Sequence, residues 1–171
     1  MKKRQSFRLW ILLIMLSAPA SFCRGQDAKP PRAVTVTGAV QHPLKLSAAD
    51  LSGMKRTEVR AAGKDGKTHA FSGVALSDIL EKAGVAMGPA LRGKNMASYL
   101  LVKAADGYRV IFALPELDAA FTDRRIILAD REDGQALPAG KGPFRVIVPG
   151  EKKPARWIWD VTALVVGKAG E

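Results

Sequence analysis

Only one stretch of this chain repeats apolar residues at helical spacing. Leu76, Ile79, Leu80 and Ala83 fall on one face, with Asp78, Glu81 and Lys82 on the other and Gly84 as a stop. Almost everywhere else apolar residues alternate in short runs between glycines, prolines and Asp-Gly pairs, which is the period of half-buried strands. Val34, Val36 and Val40 alternate around Gly38, and Pro43 ends that strand. Thr57, Val59 and Ala61 lead through the turn Gly63-Lys64-Asp65-Gly66 into Thr68 to Phe71, so a hairpin is predicted. Tyr99 to Lys103 and Tyr108 to Ala113 form a second pair across Ala105-Asp106-Gly107. Arg125 to Ala129 runs toward the turn Glu132-Asp133-Gly134, and Phe144 to Val148 and Trp157 to Val166 close the series. Ser47 is an N-cap for a helical turn over Ala48 to Leu51 that Gly53 closes, and Pro115 suits the first position of another. Met87 to Asn95, with Gly88-Pro89 and Gly93, reads as a loop. Many strands with one solid helix and no internal repeat predict a single sheet-rich mixed α+β domain.

The first residues follow another logic. Lys2, Lys3, Arg4 and Arg8 precede an unbroken apolar run from Leu9 to Leu16, and Ala18-Pro19-Ala20 supplies small residues for cleavage. This is the pattern of a secretory signal peptide. The run is too short for a bilayer, which needs roughly 20 residues in a helix. The predicted organisation is a signal peptide over 1–25, a Pro30-Pro31 linker over 26–32 and one domain over 33–171. The mature protein is expected in the periplasm or secreted, with no membrane attachment after cleavage. Beyond residue 25 the chain keeps 22 basic and 16 acidic side chains. That moderate excess suits an anionic small ligand and argues against nucleic acid. The single cysteine, Cys23, falls in the leader, so the domain has no disulfide and no thiolate for a metal.

Catalytic signatures are absent. No nucleophile elbow, phosphate loop or dinucleotide fingerprint occurs. His42 precedes Pro43 in a turn; His69 could face a cleft, though an ordinary exposed strand position is the stronger reading. Being 27 residues apart with no acid pair nearby, they make neither a zinc site nor a triad. What remains is basic and glycine-rich. Gly140-Lys141-Gly142 leads to Phe144-Arg145-Val146, where Arg145 points away from its two apolar neighbours, and Glu151 to Arg156 brings a second basic loop before Trp157-Ile158-Trp159. Glycine lets backbone N–H groups approach a phosphate, and Lys and Arg add charge and forked donors. Side by side, the two loops would make an anion pocket walled by indole. A solvated basic loop with the tryptophans in the core accounts for the same spacing. Asp106-Gly107-Tyr108-Arg109 is open in the same way: a turn needs only Asp-Gly, and Tyr108 and Arg109 fall on opposite faces of their strand.

Taken in order, Val36-Thr37-Gly38-Ala39-Val40, Ser47 to Leu51, Phe71-Ser72-Gly73-Val74-Ala75-Leu76, Asp106-Gly107-Tyr108, Ile127-Leu128-Ala129, Leu137-Pro138 and Gly142 to Pro149 resemble the molybdopterin-binding oxidoreductase domain of the sulfite oxidase type. The periplasmic methionine sulfoxide reductase catalytic subunit is similar too. The resemblance runs from about Val34 to Val166. It implies a sheet-rich α+β fold and molybdopterin, a molybdenum held by the dithiolene of a pterin. It also implies pterin-phosphate roles for Arg145 and Arg156, an approach of Lys141 to the cofactor, and Asp106 and Tyr108 near the metal side.

One departure bears on chemistry. The family ligates molybdenum through a cysteine on the strand before Phe71, where this chain has Ala61 and Ala62. A methyl cannot replace the soft thiolate. Arg4 is followed by Gln5, so no twin-arginine motif marks export after folding with a cofactor in place. The expected function is an exported, oxidoreductase-like domain that binds a pterin or other phosphorylated anion without thiolate-ligated molybdenum. Two alternatives stay open: a module docking on a periplasmic redox protein, and an active molybdenum oxidoreductase.

Overall fold

The computed structural model describes residues 33–138 and 142–170, so the leader (1–25) and the linker (26–32) lie outside the described residues. Ten strands and two α-helices follow one another as β1 (Val34–Gly38), β2 (Leu44–Leu46), α1 (Ala48–Ser52), β3 (Thr57–Ala62), β4 (Thr68–Ala75), α2 (Leu76–Lys82), β5 (Ser98–Ala104), β6 (Arg109–Ala113), β7 (Ile127–Glu132), β8 (Gln135–Ala136), β9 (Arg145–Ile147) and β10 (Val161–Lys168). Short 3-10 turns occupy Gly88–Ala90, Gly93–Ala97, Leu114–Glu116 and Pro154–Arg156. The domain is the predicted sheet-rich α+β mixture.

The strands form two sheets. One runs β2-β1-β10-β5-β6, and in it β1 lies parallel to β10 while the other pairs are antiparallel. The other runs β3-β4-β7-β8, with β9 also bonded to β7. Alternation sets the inward face of each strand: Ser98, Leu100, Val102 and Ala104 of β5 are buried, while their neighbours are half-exposed. Side chains from both sheets meet Leu76, Ile79 and Leu80 of α2 in one continuous core. Each of those three is fully buried, worth about 1.5–3 kcal/mol apiece relative to exposure.

Local chemistry sets the element ends. Ser47 and Asp50 close a reciprocal capping box on α1, and Gly53 is its C-cap. Asp133 (φ 49°) and Gly134 (φ 78°) both take left-handed backbone between β7 and β8, the geometry of a two-residue hairpin turn. Gly73 is there because nothing larger fits: a Cβ would come within 2.1 Å of the Leu128 carbonyl oxygen on β7.

Two predicted strands are displaced. β7 starts two residues later than Arg125 and continues to Glu132. The last strand starts at Val161 instead of Trp157, because residues 157–160 bond sideways to β9. Val146 N–H donates to the Ile158 carbonyl (2.9 Å) and Val161 N–H to the Phe144 carbonyl (3.0 Å). Asp160, at φ 47°, then turns the chain into β10. Pairing with β9 overrode the apolar run.

Candidate functional site

The site is built around Arg145. Its strand, β9, lies against β7 with Ala129 as its register partner, and Phe144, Arg145 and Val146 are all buried. Alternation turns Arg145 to the face opposite Phe144 and Val146, and because the strand is covered on both faces the guanidinium enters an interior, not solvent. There it meets aromatic rings. Its central carbon lies 3.2 Å from the ring centre of Trp159, 5.0 Å from that of Trp157 and 5.4 Å from that of Phe71. Trp157 packs edge-on against Phe71 (5.6 Å) and donates its indole N–H to the Val148 carbonyl at 2.9 Å, which locks the box. Desolvated cation–π contacts of this kind are worth about 2 kcal/mol.

The charge of Arg145 is poorly answered. The nearest carboxylate, Glu132, stands 3.9 Å away, at the limit of an ion pair. Nε is buried and has no hydrogen-bond partner among the described residues. Burial pulls the guanidinium pKa down to about 10, with Glu132 opposing, so it stays charged at neutral pH. A buried donor without an acceptor costs free energy.

A cleft of about 280 Å³ opens here, lined by Gly63, Lys64, Asp65, His69, Glu132, Arg145 and Trp159. A second of about 260 Å³ shares Lys64 and Trp159 with it and adds Asp106, Tyr108, Ala155 and Trp157. Asp106 accepts the Tyr108 backbone N–H (2.9 Å), and the Tyr108 hydroxyl donates to the Ala155 carbonyl (2.9 Å). Thus Asp106 and Tyr108 line one cleft and Arg145 the other, and Trp159 lines both. Arg109 is absent from both linings, as opposite faces of a strand require. A larger cleft of about 520 Å³, between β2, α1 and Lys82, holds none of these groups.

Arg156 is placed differently. It ends the 3-10 turn Pro154–Arg156 and lines neither cleft, although Pro154, Ala155 and Trp157 line the second. Its Nε donates to Glu151 at 2.7 Å and its Nη1 to Glu116 at 3.0 Å, over the ring of Phe112 at 4.7 Å. Burial pulls its pKa down, but the two carboxylates outweigh burial and leave it above its ordinary value. Lys141 lies outside the described residues. On β3, Ala61 points into the core and Ala62 to solvent, so Ala61 is the inward position facing His69 across the hairpin.

His69 faces the cleft, the less favoured of its two readings. It is half-buried between acids from two turns: Nδ1 lies 2.6 Å from Asp133, and Nε2 lies 3.2 Å from Asp65. Hydrogen bonds to Asp133 and Asp65, in that order, raise its pKa above 6.5 against burial. Sequence distance concealed this acid pair, because 64 residues separate His69 from Asp133. The two acidic turns were legible; their meeting needed the β4–β7 pairing. Among the described residues no cluster of His, Cys, Asp and Glu has the geometry to hold a metal ion.

Two sheets, with a buried arginine stacked on indole beside a cleft that carries both cations and carboxylates, define a sheet-rich α+β domain class. Residues 30–166 match the oxidoreductase molybdopterin binding domain, and the chain belongs to that family. Its fold is similar to that of the sulfane dehydrogenase SoxCD from Paracoccus pantotrophus, with a TM-score of 0.63 and 22% identity over 82% of this chain. The match spans 39% of the SoxCD chain, so this chain corresponds to about two-fifths of that protein. No curated protein sequence matches it.

Proposed function

We propose that this chain is an exported member of the molybdopterin-binding oxidoreductase family that binds a pterin or another phosphorylated anion against Arg145, without thiolate-ligated molybdenum. The observation that carries the reading is the buried, charged Arg145, whose Nε lacks an acceptor among the described residues. A phosphate oxygen would supply that acceptor as a charge-assisted bond. Lys64 would add charge from the rim, and Trp159, Trp157 and Tyr108 would wall a planar ring.

The anionic part of molybdopterin fits these residues; a thiolate-held metal does not. When bound, molybdenum on a pterin dithiolene supplies oxygen-atom and two-electron transfer. The family's thiol position on β3 carries alanine, and the chain's one cysteine, Cys23, precedes the domain. The residues of this chain are assigned binding and orientation, and Arg156 is assigned to holding Glu116 and Glu151 together. Export rests on the basic and apolar pattern of residues 1–25.

Mass spectrometry and elemental analysis of natively exported protein test the reading. Pterin or phosphate without stoichiometric molybdenum, and loss of that ligand in Arg145→Ala, are expected. No ligand, with Arg145→Ala indistinguishable in phosphate titration, would remove its basis. Stoichiometric molybdenum would instead establish an active oxidoreductase with a ligand other than thiolate.

A second reading, docking onto a periplasmic redox protein, draws on the exposed edge strand β6. Ile111, on its outer face, is 56% exposed. Co-purification of a redox protein, lost in Ile111→Lys, would favour it.

A further inference from the structure

His69 is a group on the rim of the Arg145 cleft that anion binding leaves unused. It joins two turns from different parts of the sequence. Nδ1 faces Asp133 at 2.6 Å, just after β7, and Glu132, the last residue of β7, at 3.8 Å; Nε2 faces the two Asp65 oxygens at 3.2 and 3.3 Å, in the β3–β4 turn. Asp133 also accepts the Ala70 N–H at 2.9 Å, so its position is set by β4. Asp65 adjoins Lys64, which lines both clefts. The junction has no slack: a Cβ on Gly63 would meet Asp65 at 2.7 Å and the His69 ring at 3.0 Å.

An imidazolium donates from both nitrogens, whereas a neutral imidazole donates from one. Without its proton, His69 keeps one carboxylate and turns a lone pair toward the other. The shorter contact, to Asp133, is the one retained, and Asp65 is repelled together with the turn that carries Lys64. The charge balance moves the same way. The carboxylates of Asp65, Glu132 and Asp133 face His69, while Lys64 and Arg145 share its cleft and Arg60 on β3 bears on Asp133. Loss of the imidazolium leaves that group more negative by one charge.

We propose that His69 is a positioning residue for the anion cleft: as an imidazolium it ties the Lys64–Asp65 turn to the Asp133 turn, and on deprotonation it releases Lys64 and weakens dianion binding at Arg145. This rests on the anion-cleft reading above. Because its carboxylate partners hold the His69 pKa above 6.5, the cleft is complete at lower pH and weakens as pH rises through that raised value.

Sulfate is the probe, since its charge, unlike that of phosphate, is constant across this range. Calorimetric titration of the full chain from about pH 5.5 to 8.5 is expected to show affinity falling by about fivefold or more. By reciprocity, saturating sulfate raises the His69 titration midpoint followed by NMR. His69→Gln is expected to bind with a flat pH profile. Asp133→Asn, which keeps the ring and removes its strongest partner, is expected to move the profile to lower pH; it decides the matter should His69→Gln fail to fold. Sulfate binding with the same affinity at every pH, or a pH profile preserved in His69→Gln, overturns the positioning role and leaves the cleft reading intact. No sulfate binding at any pH overturns the cleft reading and the positioning role with it.

Discussion

Around Arg145 the walls are three aromatic rings and one carboxylate at 3.9 Å; around Arg156 two carboxylates close to between 2.5 and 3.0 Å over a single ring. Burial weakens the first cation, while paired acids outweigh burial at the second. The two side chains come from neighbouring basic segments of the sequence, and the family resemblance implies similar roles for both. What separates them is the company brought by other elements. An arginine already bonded to two acids stabilises the fold and has little left for a ligand. An arginine stacked on indole keeps a donor over, and this is why the proposed anion site is drawn around it.

The largest expected effect tests the platform on which the first region stands. Gly73→Ala drives a methyl into the β7 backbone, two strands from Arg145, and is expected to cost at least about 3 kcal/mol in urea unfolding. Anion binding should fall with it, because the same β7 strand carries β9. Next comes Arg145→Met. Phosphate affinity should drop by about 30-fold or more in calorimetry, since a charge-assisted bond is removed. Stability should hold or rise, by up to about 2 kcal/mol, because an incompletely answered buried charge gives way to an apolar chain. A clear loss of stability without loss of binding would erase the contrast between the two arginines.

Arg156→Met should behave in the opposite sense. It leaves Glu116 and Glu151 without their shared cation, which is expected to cost about 1–3 kcal/mol while phosphate affinity changes by less than about twofold. The smallest effect is one of pH. The folded-state pKa of His69 is raised, so its contribution to stability is full below about 6.5, the unfolded value, and is lost as pH rises through the folded one. The thermal midpoint of the protein should decline over that window, and His69→Gln should flatten the decline. Asp65 and Asp133, whose pKa values are lowered, act in the reverse direction: their contribution is present above the ordinary carboxyl range and is lost in acid.

Much of the fold was legible residue by residue. The α1 cap at Ser47, the α2 stripe, the β3–β4 and β5–β6 hairpins and the Asp133-Gly134 turn all sit where spacing predicts. Each is a contact between residues close in sequence, so local pattern suffices. The site was half legible. Arg145, Tyr108 and Asp106 stand out from composition and resemblance; Trp159 lines both the cleft of Arg145 and that of Tyr108 and Asp106, while Arg156 lines neither and Lys141 lies outside the described residues. Lys64 reads from sequence as a turn residue, and a cleft-facing His69 is the weaker of two readings. Their significance depends on Asp133 arriving from 64 positions away.

The amino-acid order on its own carried the strand and helix periods, the turn chemistry and the family pattern, because these are set within a few residues by sterics and hydrogen bonding. Only the folded sheets decided that β1 runs parallel to β10, that the segment after Arg156 bonds to β9, and that one arginine meets acids while another meets indoles. The reason is physical: the free energy of a buried charge depends on which atoms surround it in space, and those atoms come from chain segments that no local pattern brings together.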